Sequence, residues 1–158
     1  MMPENCEILR RNIVENGFEK VIDVRAVGVW REAGTFEVYS KGRQRNSVLP
    51  IDKLEDGTRI LASVETLDRI IDEWGVSPVD LVFVTVNGAE VQVLEGFHPE
   101  GRDVRAFFVA APYTIGERPN SDVCREMLDN KGYTIVDLNN RNRVVAKYQS
   151  NTRGLHLL

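Results

Sequence analysis

The chain has 158 residues, 42% of them hydrophobic, with a formal charge of −4, which suits one compact core and is too little for two ordinary domains. Acidic and basic residues are interspersed with a mildly negative balance, which argues against nucleic acid or an anionic membrane as a partner. No basic segment followed by an apolar stretch opens the chain, and no apolar run approaches the roughly 20 residues that span a bilayer, so a cytoplasmic location is expected.

Pro3 suits a first helical turn, and Cys6, Leu9 and Ile13 follow at helical spacing until Asn16-Gly17, which predicts a helix over residues 3–16. Val21 to Val29 is rich in β-branched residues and reads as a strand, followed by a second, alternating strand at Thr35–Tyr39 that could close a hairpin with it. Residues 40–58 form a long polar connection whose Lys41, Arg43 and Arg45 are either a phosphate- or carboxylate-binding cluster or a solvated surface. After a short extended segment at Ile60–Ala62, Ser63 is positioned to cap a helix through Trp74, with Leu67, Ile70, Ile71 and Trp74 on its apolar face and Gly75 at its end.

Leu81–Val86 is an almost continuous apolar run, the pattern of a strand covered on both faces. Asn87-Gly88-Ala89-Glu90 turns the chain into a helix with Val91, Val93 and Leu94, and Ala106–Ala111 is a second buried run that ends at Pro112. Asn120 or Ser121 can cap a helix carrying Cys124, Met127 and Leu128, which Gly132 ends. Tyr133–Leu138 and Val144–Tyr148 read as a terminal hairpin joined at Asn139–Asn142, and residues 149–158 read as a tail. The pattern predicts an α/β fold, a mostly parallel sheet with an antiparallel C-terminal edge, within a single domain over 1–148.

In such a sheet ligands gather beyond the carboxyl ends of the strands. That rule selects Gly28-Val29-Trp30, Thr85 to Glu90 and the loop at Tyr113. Asn87 and Glu90 can face a polar ligand, or they can serve as helix cap and dipole partner. Trp30 can stack on a flat ring such as adenine or pack on its own sheet, and Tyr113 can offer its hydroxyl or seal a core edge. The chain carries no nucleophile elbow and no glycine-rich phosphate loop. His98 and His156 have no second ligand at metal-binding spacing, so no metal is expected, and Cys6 and Cys124 read as core residues.

The run Pro3-Glu4-Asn5-Cys6-Glu7-Ile8-Leu9-Arg10-Arg11-Asn12, then Val27-Gly28-Val29-Trp30, Glu65-Thr66-Leu67-Asp68 and Val79-Asp80-Leu81, resembles the FkbM-type methyltransferases in order and spacing. Asn87-Gly88-Ala89-Glu90 followed by Val93-Leu94-Glu95-Gly96 is similar to that family's V-E-G-A-E…V-L-x-G signature, and the likeness runs from Pro3 to Tyr148. The resemblance implies a Rossmann-like sheet, S-adenosylmethionine as cofactor, and methyl transfer to a hydroxyl of a small or sugar-like acceptor. It implies cofactor contacts at Gly28, Val29, Trp30, Thr85, Asn87 and Glu90 and substrate contact at Tyr113. The family's glycine-rich loop and ribose-binding acid would precede Pro3, so the domain reads as N-terminally truncated. Thr85 and Asn87 stand where similar proteins carry carboxylates, which argues against independent catalysis. Loss of the first two strands implies exposed sheet edges, repaired by a local rearrangement, by homodimer pairing or by a complementing chain. The alternative expectation is a non-catalytic binding or assembly module on a degenerate methyltransferase fold.

Overall fold

A computed structural model of the chain describes residues 3–40, 46–47, 58–136 and 140–148. The basic residues Lys41, Arg43 and Arg45, the segment 137–139 and the tail 149–158 lie outside the described residues. Among the described residues the fold is mixed α/β, with four helices and two four-stranded mixed sheets. Two compact units divide the chain, Met1–Thr66 and Leu67–Leu158. No helix among the described residues is long and apolar enough to cross a membrane.

The first unit opens with α1, Pro3–Glu15, which buries Cys6 and Ile13, one heptad apart on one face. Gly17, at a φ of 71°, ends the helix in the left-handed conformation that glycine adopts without strain. Strand β1 is only Gly28–Val29, β2 is Gly34–Ser40, β3 is Asn46–Ser47 and β4 is Thr58–Glu65, in the sheet order β1-β4-β2-β3. Phe36, Val38, Ala62 and Val64 share the less exposed face and Thr35, Glu37, Leu61 and Ser63 the other, the period-two alternation of a sheet with one wet side.

The long strand over Val21–Val29 shrinks to its last residues: the amides of Val21 and Ile22 bond back to the Phe18 carbonyl, and Val21 is 77% exposed. β-Branched residues favour a strand only where another strand pairs with them, and no described strand pairs with residues 22–27. The expected hairpin between β1 and β2 is absent, because β4 inserts between them, parallel to β1 and antiparallel to β2. Ser63 is not a helix cap: it lies inside β4 opposite Thr35.

The second unit starts with α2, Leu67–Trp74, which buries Leu67, Ile70 and Ile71 and leaves Trp74 exposed, narrowing the expected apolar face. Then come β5, Val82–Val84, α3, Glu90–Glu95, β6, Ala106–Ala110, the small hairpin β7, Thr114–Ile115, with β8, Arg118–Pro119, helix α4, Asn120–Asn130, and strands β9, Tyr133–Val136, and β10, Arg143–Tyr148. The sheet order is β5-β6-β10-β9. In this sheet β5 and β6 run parallel, joined through α3, since parallel neighbours need a crossover, and β10 pairs antiparallel with both β6 and β9. The expected mostly parallel sheet is therefore mainly antiparallel.

One face of this sheet carries the core. Val84, Phe107, Val109, Val144, Ala146 and Tyr133 meet Leu94, Phe97, Cys124 and Leu128, all buried. Phe107 lies 5.0 Å from Phe97 and 5.3 Å from Tyr133 between ring centres, and the Tyr133 hydroxyl donates to the Val104 carbonyl at 2.8 Å, so the polar tip of the buried ring is satisfied. The opposite face presents Phe83, stacked on Phe108 at 4.7 Å, beside Val145. Leu81 is 55% and Phe83 62% exposed, so the apolar run at 81–86 is an edge strand with one open face, not a strand covered on both sides. Phe107→Ala should therefore cost about 3–5 kcal/mol in urea denaturation, and Phe83→Ala about 1 kcal/mol. Equal costs would mean that both faces are packed.

Candidate functional site

In the parallel pair, β5 and β6 point their carboxyl ends the same way, so the segments that follow them, Thr85–Glu90 and Ala111–Tyr113, lie at one end of the second unit. The first is a tight turn in which Asn87 and Gly88 take consecutive positive φ values, 51° and 105°. Asparagine and glycine are the residues that tolerate this conformation best. The turn leaves Thr85 and Asn87 exposed and buries Gly88, Ala89 and Glu90.

Glu90 is wholly buried and both its carboxyl oxygens are engaged. Oε1 accepts the Gly88 N–H at 2.9 Å and Oε2 accepts the Asn120 side-chain amide at 2.9 Å. The same Asn120 nitrogen lies 3.4 Å from the Gly88 carbonyl, while the Asn120 backbone N–H donates to the Tyr113 carbonyl at 2.8 Å. One residue at the start of α4 thus ties the turn after β5 to the loop after β6. Asn120 Oδ1 is also buried, with no hydrogen-bond partner among the described residues.

Cys124 lies one helical turn beyond Asn120, and its thiol is pushed up from 9.0 to about 12, first by burial and then by the nearby Glu90. Tyr133 is likewise raised from 10.0, by burial first. The Ala111 N–H donates to the Asn142 carbonyl at 2.9 Å, which brings the β9–β10 turn to the same end.

Thr85, Asn87, Glu90 and Tyr113, four of the residues singled out from sequence, are thus gathered within the second unit. Tyr113 is 45% exposed. Neither helix is capped as expected: Asn87 is not the cap of α3, whose N-cap is Ala89, and Pro119 holds that place in α4, where Asn120 and Ser121 lie inside the helix. The first unit holds Gly28, Val29 and Trp30. A Cβ on Gly28 would stand 2.9 Å from Val64 Cγ1, so glycine there serves the close approach of β1 to β4. The Trp30 ring is buried and tilted against Phe36 at 5.5 Å, and its buried N–H has no partner among the described residues.

Sequence reasoning took Asn120 for a cap and missed its link to Glu90. The signal was its spacing: Asn120, Cys124 and Leu128 are four residues apart, which puts a polar amide on the buried stripe. The reading also missed Asp68, whose Oδ1 accepts the His98 N–H at 2.8 Å and whose Oδ2 lies 2.7 Å from His98 Nδ1, fastening α2 to the segment after α3.

Two outcomes follow from the buried network. Asn120→Ala strands one Glu90 oxygen and should cost about 1–3 kcal/mol in denaturant unfolding, whereas Asp122→Ala, on the exposed side of α4, should stay within about 0.5 kcal/mol. The raised Cys124 and Tyr133 groups keep protons in the folded state that the unfolded chain releases. Stability should therefore be full below the unfolded thiol value of 9.0 and fall as pH rises toward 12. Cys124→Ala should flatten the lower part of that decline, and an unchanged pH profile would contradict the thiol's placement.

No family model, curated protein or solved structure matches the chain, so the site stands on its own geometry.

Proposed function

We propose that the chain is an S-adenosylmethionine-dependent methyltransferase-like domain on a Rossmann-like plan, acting on a hydroxyl of a small or sugar-like acceptor. The observation that carries this reading is the turn at Asn87–Glu90, where consecutive positive φ values and a buried glutamate bonded to the Gly88 N–H give the V-E-G-A-E-like sequence a structural reason. Its position supports the same reading, because it follows a parallel strand and lies at the end where α/β sheets take their ligands.

When bound, S-adenosylmethionine supplies a sulfonium methyl group. Thr85, Asn87 and Tyr113 are the residues whose exposed hydroxyl and amide groups fit a ligand rich in hydroxyl, amino and carboxylate groups. Glu90 acts behind them as a positioning residue, since it is wholly buried with both oxygens engaged. Trp30 is already packed on Phe36, so base stacking is not assigned to it.

A second reading, a non-catalytic assembly module, is favoured by the open edge at β5, where Leu81 and Phe83 are exposed. Calorimetric titration with S-adenosylhomocysteine, beside light scattering on the same sample, separates the two. Micromolar binding that Asn87→Ala weakens about tenfold, the loss of one or two ligand hydrogen bonds, is the expected result. Absence of binding at millimolar ligand, together with a dimer or larger species, would replace the enzyme reading with assembly.

A further inference from the structure

A cavity of about 500 Å³ opens between the first half of α4 and the β9–β10 turn, lined by Ser121, Asp122, Arg125, Ile135, Arg141 and Asn142 among others. Both of its walls are fastened to the carboxyl end of β6. The Asn142 carbonyl receives the Ala111 N–H, and Asn120, which precedes Ser121, donates its backbone N–H to the Tyr113 carbonyl. The cavity therefore belongs to the end of the second unit at which Thr85, Asn87 and Tyr113 are displayed, and its size suits a small molecule.

Its charge is uneven. Two guanidinium groups, Arg125 and Arg141, line it against one carboxylate, Asp122. Neither arginine has an ion-pair partner among the described residues, whereas Arg118 nearby is bound to Glu126 at 2.6 Å. Arg125 gives one N–H to the Arg143 carbonyl at 2.9 Å, which holds its side chain and leaves its other donors unassigned. A planar fork of N–H groups matches two oxygens of one carboxylate or phosphate, and the Ser121 hydroxyl and Asn142 amide are further donors. Ile135 adds an apolar wall for the carbon part of a ligand. A polyanion fits less well, because the chain as a whole carries −4.

We propose that this cavity recognises an oxyanion, carboxylate or phosphate, on the small molecule that the domain takes. The inference rests on the reading of this end of the sheet as the acceptor site, and it narrows the acceptor to an anionic one. The ligand is held by Arg125 and Arg141, so that its remaining part extends toward Tyr113.

The test is calorimetric titration of the full chain with inorganic phosphate and, separately, with succinate at low salt, repeated on Arg141→Ala and Arg125→Lys. Arg141 is exposed on a turn, so its variant should keep the fold, which circular dichroism checks. At least one probe should bind, and the stronger of the two tells phosphate from carboxylate. Arg141→Ala should weaken binding about tenfold, as expected for a lost charge-assisted contact. Arg125→Lys should weaken it as well, since it keeps the charge and loses the fork. Failure of both probes to bind, or equal binding by Arg141→Ala, would overturn the proposal. S-adenosylhomocysteine binding without oxyanion binding would remove this inference and leave the methyl-transfer reading. Oxyanion binding without S-adenosylhomocysteine binding would keep the cavity as an oxyanion site and remove the methyl-transfer reading, and with it the ligand's role as acceptor.

Discussion

A carboxyl group buried among apolar side chains is costly unless hydrogen-bond donors surround it, and Glu90 meets that requirement with the Gly88 N–H and the Asn120 amide. Much of the candidate site depends on this arrangement. The Gly88 amide can reach Oε1 because the backbone turns left-handed at Asn87 and Gly88. That same turn starts α3 at Glu90, so that Val91, Val93 and Leu94 fall into the core. Asn120 extends the link to α4 and, through its backbone, to Tyr113. Two loops from different strands are thereby held in register by three residues.

Elements set by local rules were legible in the sequence. The helix at Pro3–Glu15 ends at Gly17, the helix at α2 ends at Gly75 with a φ of 61°, and the hairpin of β9 and β10 forms where Tyr133 and Val144 indicate. Each of these depends on neighbours within a few residues. What depends on distant partners was not legible. Val21–Val27 and Leu81–Val86 have the composition of buried strands, yet composition reports apolarity and says nothing of which strand lies alongside. In the fold the first run pairs hardly at all and the second becomes an edge. The insertion of β4 between β1 and β2 is a choice among pairings separated by dozens of residues, which no local pattern encodes.

The candidate site divides along the same line. The strand–turn–helix at Thr85–Glu90 was visible from its residue types, because few other residues accept the backbone at positions 87 and 88. The separate roles of Asn87 and Glu90 were not, since both are polar residues beside a helix start. Burial divides them: Asn87 faces solvent while Glu90 is sealed inside. For Trp30, stacking and packing were both open from sequence, and in the fold its ring lies against Phe36 while Gly28 lies against Val64. Of the residues singled out at this end of the sheet, Thr85, Asn87 and Tyr113 keep their polar groups exposed.

The most direct test of a ligand site held by the Glu90–Asn120 link is an amide chemical-shift map of the labelled chain with S-adenosylhomocysteine. Shifts concentrated at Thr85–Glu90 and Ala111–Tyr113 are expected. A map with no shifts, or with shifts confined to other segments, would contradict the assignment of ligand binding to the carboxyl end of β5 and β6.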